Sequence, residues 1–249
     1  MSMFYKNNLA LDYHINTKSN SGLRDYDPQV YYKAYPNTKV LHLSKNNAKT
    51  NAKNDDIFLQ TLMSRKSTRA FASRGLELDA LSKLLTLGCG LKTESSDSIF
   101  RTYASAGGRY PIEIYVAILQ PSDIEQGIYH FNIKDNSLEM LRRGDYSEKL
   151  GKYYTNQPFG SIIPCLIFFS MVFERTMGKY GERGYRYALI DAGHMGQNLY
   201  LCASYLNLGI VGLGQGAVSD VEFEDFLGLN SAEESMIYSF AVGYIPDIA

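Results

Sequence analysis

The chain has 249 residues, a formal net charge of -1 and a hydrophobic content of 45%. That much apolar sequence suffices for a sizeable core, and the near-neutral charge excludes the electrostatic footprint of a nucleic-acid binder or of a protein held to an anionic membrane. No run approaches the roughly eighteen apolar residues of a membrane span, and the opening MSMFYKNNLALDYH lacks the apolar core of a secretory signal, so a cytoplasmic protein is expected.

Residues 1–55 are rich in Asn, Lys, Ser and Tyr, hold no sustained period and read as an arm, with Tyr13-His14 and Tyr31-Tyr32 available to dock on a body or a neighbouring subunit. A domain follows over 56–249. Asp55 or Asp56 caps a short helix through Leu62 or Met63, which leads into the cluster Arg65, Lys66, Ser67 and Arg69. Leucines at 78, 81, 84, 85 and 87 predict a helix over 77–91, stopped by Gly88 and Gly90. Strands are expected over 99–104 and 113–119, joined by the turn 105–111, and over 127–133 and 137–141, joined as a hairpin. A helix over 145–154 precedes the apolar run 162–173, which reads as a strand buried on both faces.

From Arg183 the positions Tyr185, Leu189, Ala192, Met195 or Gly196, Leu199, Ala203 and Leu206 carry helical period, predicting a long helix over 182–206. Thr176 to Gly184, just before it, is too rich in glycine and charge for a core element and reads as a presenting loop. A strand over 210–214, a helix over 220–227 and a strand over 235–242 complete a chain without regular βαβ alternation. The fold class is α+β around a mostly antiparallel sheet.

Cys89, Cys165 and Cys202 are odd in number, lack CxxC spacing and lie among apolar neighbours, as buried reduced thiols do. His14, His42, His130 and His194 show no ligand spacing, so no metal site is expected, and His194 reads as a packed core histidine. Arg65, Lys66, Ser67 and Arg69 place three cations and a hydroxyl within five residues, a set that can grip a phosphate or simply form a solvated helix end. Gly107 and Gly108, beside Ser105 and Arg109, let a backbone approach a planar ligand or make a plain tight turn. The glycines of 209–216 can offer successive amides to a heterocycle or simply make a turn leading to a capped helix. Lys179-Tyr180 is the natural pair for acid/base work, provided that an apolar wall and the neighbouring Arg175 or Arg183 lower the lysine pKa.

Taken together, RKSTRAF (65–71), SAGGRYPIEIYVA (105–117) and FERTMGKYGERGYRYALIDAGHMGQNLYLCASYLNLG (173–209) resemble the SagB-type dehydrogenases. These are FMN-dependent oxidases of the nitroreductase superfamily that convert peptide thiazolines and oxazolines to thiazoles and oxazoles. The resemblance implies an α+β flavoprotein homodimer with flavins at the subunit interface, and a long helix whose small residues Ala188, Ala192, Gly193, Gly196 and Ala203 pack closely on a partner element. It implies that Arg65, Lys66, Ser67 and Arg69 hold the FMN phosphate and ribityl chain. Ser105, Gly107 and Arg109 would reach the flavin from the other subunit, Leu213 and Gly214 would meet its N5 and O4 edge, and Lys179 and Tyr180 would serve the dehydrogenation. It implies partners too: cyclodehydratase proteins and an azoline-containing precursor peptide. An NAD(P)H-dependent nitroreductase or flavin reductase on the same fold is the alternative.

Overall fold

A computed structural model describes residues 8–17, 32–43, 56–92, 100–153, 162–213 and 220–246. Six antiparallel strands form one sheet: β3 (Ile112–Ile118), β4 (Gly127–Asn132), β5 (Ser137–Arg143), β6 (Cys165–Val172), β7 (Leu208–Leu213) and β8 (Glu234–Tyr244), in the order β5-β4-β3-β6-β8-β7. A short pair, β1 (Leu91–Lys92) and β2 (Phe100–Arg101), stands apart from it. The α+β antiparallel class expected from the sequence is the one observed.

Period-2 alternation divides the core into two layers. Along the central strand β6, Cys165, Ile167, Phe169 and Met171 face one layer and Leu166 and Phe168 the other, every one of them fully buried. The first layer is closed by α3 (Leu78–Cys89) and the long α6 (Arg183–Tyr205); the second is closed by α4 (Ser147–Tyr153) through Leu150 and by α7 (Asp220–Leu227) through Phe226 and Leu227. Burial pushes the Cys165 thiol up to about 12 and raises Cys202. All three thiols are free, as expected, although Cys202 is only half-buried.

Several expectations need correction. Thr176 to Gly184 is not a loop: β6 runs straight into α5 (Phe173–Tyr180), which buries Phe173, Thr176 and Met177. Glycine and charge hid a helix of two turns whose apolar side is nonetheless at helical spacing. Gly181, at φ 58°, ends it, with its N–H on the Met177 carbonyl at 2.8 Å. In α6 the buried stripe is Tyr185, Ala188, Ala192, Met195, Leu199 and Ala203, while Leu189 is exposed. Of the five small residues expected on a partner element, Ala188, Ala192, Gly196 and Ala203 pack inward on the chain's own core, and only Gly193 is exposed. The strand expected over 99–104 is reduced to β2, and His194 is exposed rather than packed in the core.

The arm contains α1 (Leu9–Thr17), capped by Asn8 Oδ1 on the Ala10 and Leu11 amides. His14 docks it on the body, at 3.0 Å from the Tyr185 hydroxyl through Nδ1 and 2.7 Å from Ser235 Oγ through Nε2. Ser235 in turn donates to the buried Glu224 carboxylate, so Nε2 is the donor to Ser235 Oγ. The Leu9 amide adds a bond to Glu182 at 2.8 Å. Removing a buried donor and acceptor leaves partners unsatisfied. His14→Ala should therefore lower the urea or thermal stability by about 2 kcal/mol and speed proteolysis in the N-terminal arm.

Candidate functional site

Two groups of the expected site residues come together, at opposite ends of α6. The first surrounds a single turn of 3₁₀ helix at Ala106–Gly108. Asp191, 2% exposed on α6, accepts from Ser105 Oγ at 2.5 Å and from the Ala106 amide at 3.2 Å, and Ser105 Oγ accepts from the Tyr110 amide at 2.8 Å. Burial raises the Asp191 pKa and these two bonds offset it only in part. One turn along α6, His194 Nδ1 lies 3.2 Å from the Ala104 carbonyl, and Asn198 donates to the Thr102 carbonyl at 3.1 Å. The loop is thus fixed by side chains of one helix.

Lys179 and Tyr180 arrive beneath this loop from the last turn of α5. A Cβ on Gly107 would lie 2.2 Å from the Tyr180 hydroxyl and 3.0 Å from Lys179 Nζ, and the ammonium sits 5.2 Å from the centre of the Tyr180 ring. Tyr180 is packed edge-on to Tyr187 at 5.2 Å. Lys179 itself is exposed, so the apolar wall invoked for it is not supplied by the described residues. Arg109 Nε donates to the Arg175 carbonyl at 2.7 Å, which ties the far side of the loop to α5.

Behind that tie runs a charged relay. Arg175 pairs with Glu113, whose other oxygen lies 2.8 Å from His130 Nε2, and His130 Nδ1 lies 2.9 Å from Glu139. The hydrogen bond to Glu113 raises the His130 pKa against the pull of burial. Burial alone would raise Glu113, but His130 and Arg175 together hold it below the usual carboxylate range. Beside the loop, residues 100–105 with Lys92, Gly108 and Tyr110 line an open cleft of about 600 Å³, where the buried Thr102 hydroxyl has no hydrogen-bond partner among the described residues.

The second group lies where α2 (Ile57–Ser64) meets α6 and β7. Asp56 caps α2 through the Leu59 amide at 3.0 Å. The Thr68 amide donates to the Ile210 carbonyl at 2.9 Å, seating the 65–69 segment on β7. Arg65, Lys66 and Arg69 have no carboxylate within ion-pair distance among the described residues, and Lys66, Ser67 and Arg69 are exposed. A set of donors with no acceptor of its own is the chemistry that a phosphate fits. Leu213, beside it on β7, has a buried side chain and so offers only backbone; Gly214 lies outside the described residues.

Residues missed from the sequence hold both groups in place. Asp191 had a detectable signal, since it is a carboxylate adjoining the buried stripe of α6. Tyr200, whose hydroxyl lies 3.3 Å from Ser67 Oγ at the second group, and the Arg175–Glu113–His130 relay had none, because their partners are distant in sequence. Among the described residues no cluster suits a metal ion, and no helix is long and apolar enough to cross a membrane.

Residues 62–244 match the family model described as "Nitroreductase family". "Putative nitroreductase MJ1384" of Methanocaldococcus jannaschii is 34% identical over 166 residues, 67% of this chain and 81% of that protein. The Escherichia coli "Microcin B17-processing protein McbC" is 33% identical over 127 residues, covering 45% of this chain and 43% of McbC. Among solved structures, the E. coli microcin synthetase McbBCD complex with truncated pro-MccB17 bound aligns at a TM-score of 0.76 and 19% identity, over 98% of this chain and 96% of that one. A Desulfovibrio desulfuricans structure in complex with FMN aligns at 0.54 and 19% identity, over 77% of this chain and 87% of that one.

Gly107→Ala, at φ 61°, meets both strain and the Tyr180 hydroxyl, whereas Gly108→Ala, at φ 63°, meets strain alone. Thermal unfolding should show about 1–3 kcal/mol lost to strain in each and a further loss in Gly107→Ala. The charged relay predicts a pH dependence. His130, raised, contributes stability below its unfolded pKa that is lost as pH rises through its folded pKa. Glu113, lowered, contributes stability above its unfolded pKa that is lost as pH falls through its folded value. His130→Gln should flatten the alkaline limb of a urea-midpoint profile and shrink the acid limb without abolishing it, since Arg175 still lowers Glu113.

Proposed function

The chain belongs to the nitroreductase family, and we propose that within it the protein is an FMN-dependent dehydrogenase that oxidises azoline rings of a ribosomally made peptide to azoles. The observation that carries this reading is the convergence of Lys179 Nζ and the Tyr180 hydroxyl on Gly107, at the loop expected to border a flavin. Aromatising an azoline removes a proton from the ring carbon alpha to the next carbonyl and a hydride from the adjacent ring carbon. FMN, when bound, supplies the hydride acceptor.

The chain's residues supply the rest. Arg65, Lys66, Ser67 and Arg69 would hold the FMN phosphate, and backbone amides at Leu213 and Gly214 would serve the ring edge. Lys179 takes the proton, with Tyr180 hydrogen-bonding to the developing charge. Asp191 and the Arg109–Arg175 tie hold the loop and α5 together, so that the base keeps a fixed place relative to the ring. Covering Lys179 with substrate or a second chain provides the desolvation that the isolated chain lacks.

The shape of α6 supports a homodimer. At about 100° per residue, the loop-gripping residues Asp191, His194 and Asn198 and the residue of the phosphate end, Tyr200, stand on nearly opposite sides of the helix, some 13 Å apart along the axis from 191 to 200. Between them runs an exposed stripe of Arg186, Ile190, Gly193 and Gln197. A second copy packed there brings the loop end of one chain to the phosphate end of the other. The likeness of the McbBCD fold, solved with a propeptide bound, supports a peptide substrate delivered by cyclodehydratase partners.

The 34% identity to MJ1384 favours a second reading, an NAD(P)H-dependent nitroreductase. The two separate in one experiment. An azoline peptide should lose two daltons with wild-type protein and FMN, and Lys179→Ala, still yellow with FMN, should be slowed about 100-fold or more. Rapid bleaching of the flavin by NAD(P)H with no mass change on the peptide would instead establish the reductase.

A further inference from the structure

Tyr200 takes no part in the chemistry proposed above, yet it joins both cofactor-facing segments. Its hydroxyl lies 2.6 Å from the Gly212 amide and 3.3 Å from Ser67 Oγ, the Arg65 guanidinium lies 5.5 Å from the centre of its ring, and the ring packs edge-on to Phe240 at 6.0 Å. One turn further along α6, Ser204 bonds Ser64 at 2.9 Å, pinning the end of α2 to the same side of the helix.

The protons in this group can be assigned from chemistry. An amide N–H only donates, so the phenol oxygen is its acceptor. Between Tyr200 and Ser67 either hydroxyl can donate, and an anion on the exposed side of Ser67, beside Arg65 and Arg69, selects the direction: the Ser67 proton turns to the anion and Oγ accepts the phenolic proton. With that anion bound the hydrogen bonds run in one direction, from the Gly212 amide through Tyr200 to Ser67, and each polarises the next toward it.

We infer that Tyr200 is a positioning residue for the FMN phosphate. It fixes the Ser67 hydroxyl as a directed donor and, through Gly212, ties that donor to the strand end carrying Leu213. The inference rests on FMN as cofactor and is independent of which substrate the flavin oxidises. Tyr200→Phe keeps the ring and its packing and removes the relay.

The test is fluorescence titration of flavin-free protein with FMN and, separately, with riboflavin, which has no phosphate. Tyr200→Phe should weaken FMN about five- to tenfold, the loss of about one hydrogen bond, and leave riboflavin within about twofold. Ser67→Ala, at an exposed position, should weaken FMN similarly without lowering the thermal midpoint of the flavin-free protein. The double variant should bind FMN no worse than Ser67→Ala, since both changes cut one chain of bonds. Equal losses for FMN and riboflavin, unchanged FMN affinity, or losses that add in the double variant would overturn the assignment. A protein that passes these tests and leaves azoline peptides unchanged would sink the substrate reading alone.

Discussion

The buried carboxylate of Asp191 is the contact on which the candidate reaction centre depends. A charge at 2% exposure is tolerated only where its acceptor capacity is used, and here Ser105 Oγ and the Ala106 amide use it. The consequence is geometric. Gly107 follows directly on these anchored residues, so the place where its backbone passes over Lys179 and Tyr180 is set by bonds to α6 as well as by the loop's own turn. Burial works against the ionised form of Asp191, so the loop is held by a group whose charged state is itself maintained by the loop's donors.

The long helix then acts as a scaffold with several faces. The stripe Tyr185, Ala188, Ala192, Met195, Leu199 and Ala203 spends the apolar face on the sheet. Asp191, His194 and Asn198 hold the segment 102–106 on one flank, and Tyr200 and Ser204 hold 64–67 and the end of β7 on the other. Inserting or deleting a residue between 191 and 200 would turn one grip about 100° relative to the other. The spacing within α6 is thus a functional quantity, even though no atom of this stretch is expected to touch the ring.

The fold was largely legible in the sequence because its signals are local. The two-faced burial of 165–172, the hairpin of 127–143 and the helical period of 183–205 all follow from neighbours within a few residues. What escaped is tertiary. Nothing local says that β6 lies between β3 and β8, or that Glu113, Arg175 and His130 meet at the base of α5. The helix Phe173–Tyr180 escaped for a different reason: its two turns contain glycine and charge, and its stability comes from burying Phe173 and Met177 under tertiary contacts rather than from propensity. Likewise the small residues of α6 look in sequence like a surface for a partner, and four of them are used on the chain's own sheet.

The arm shows how local weakness and tertiary definition combine. Nine residues of α1 are too few for a stable helix in isolation, and the segment has little to bury beyond Leu11 and His14. Its order comes from a polar chain, Tyr185–His14–Ser235–Glu224, whose members belong to the start of α6, the arm, β8 and α7. Tyr185 lies five residues beyond Tyr180, at the corner where α5 turns into α6. The same histidine that docks the arm therefore braces the corner carrying the Lys179-Tyr180 pair, and a partner that pulled on the arm would act on that corner first.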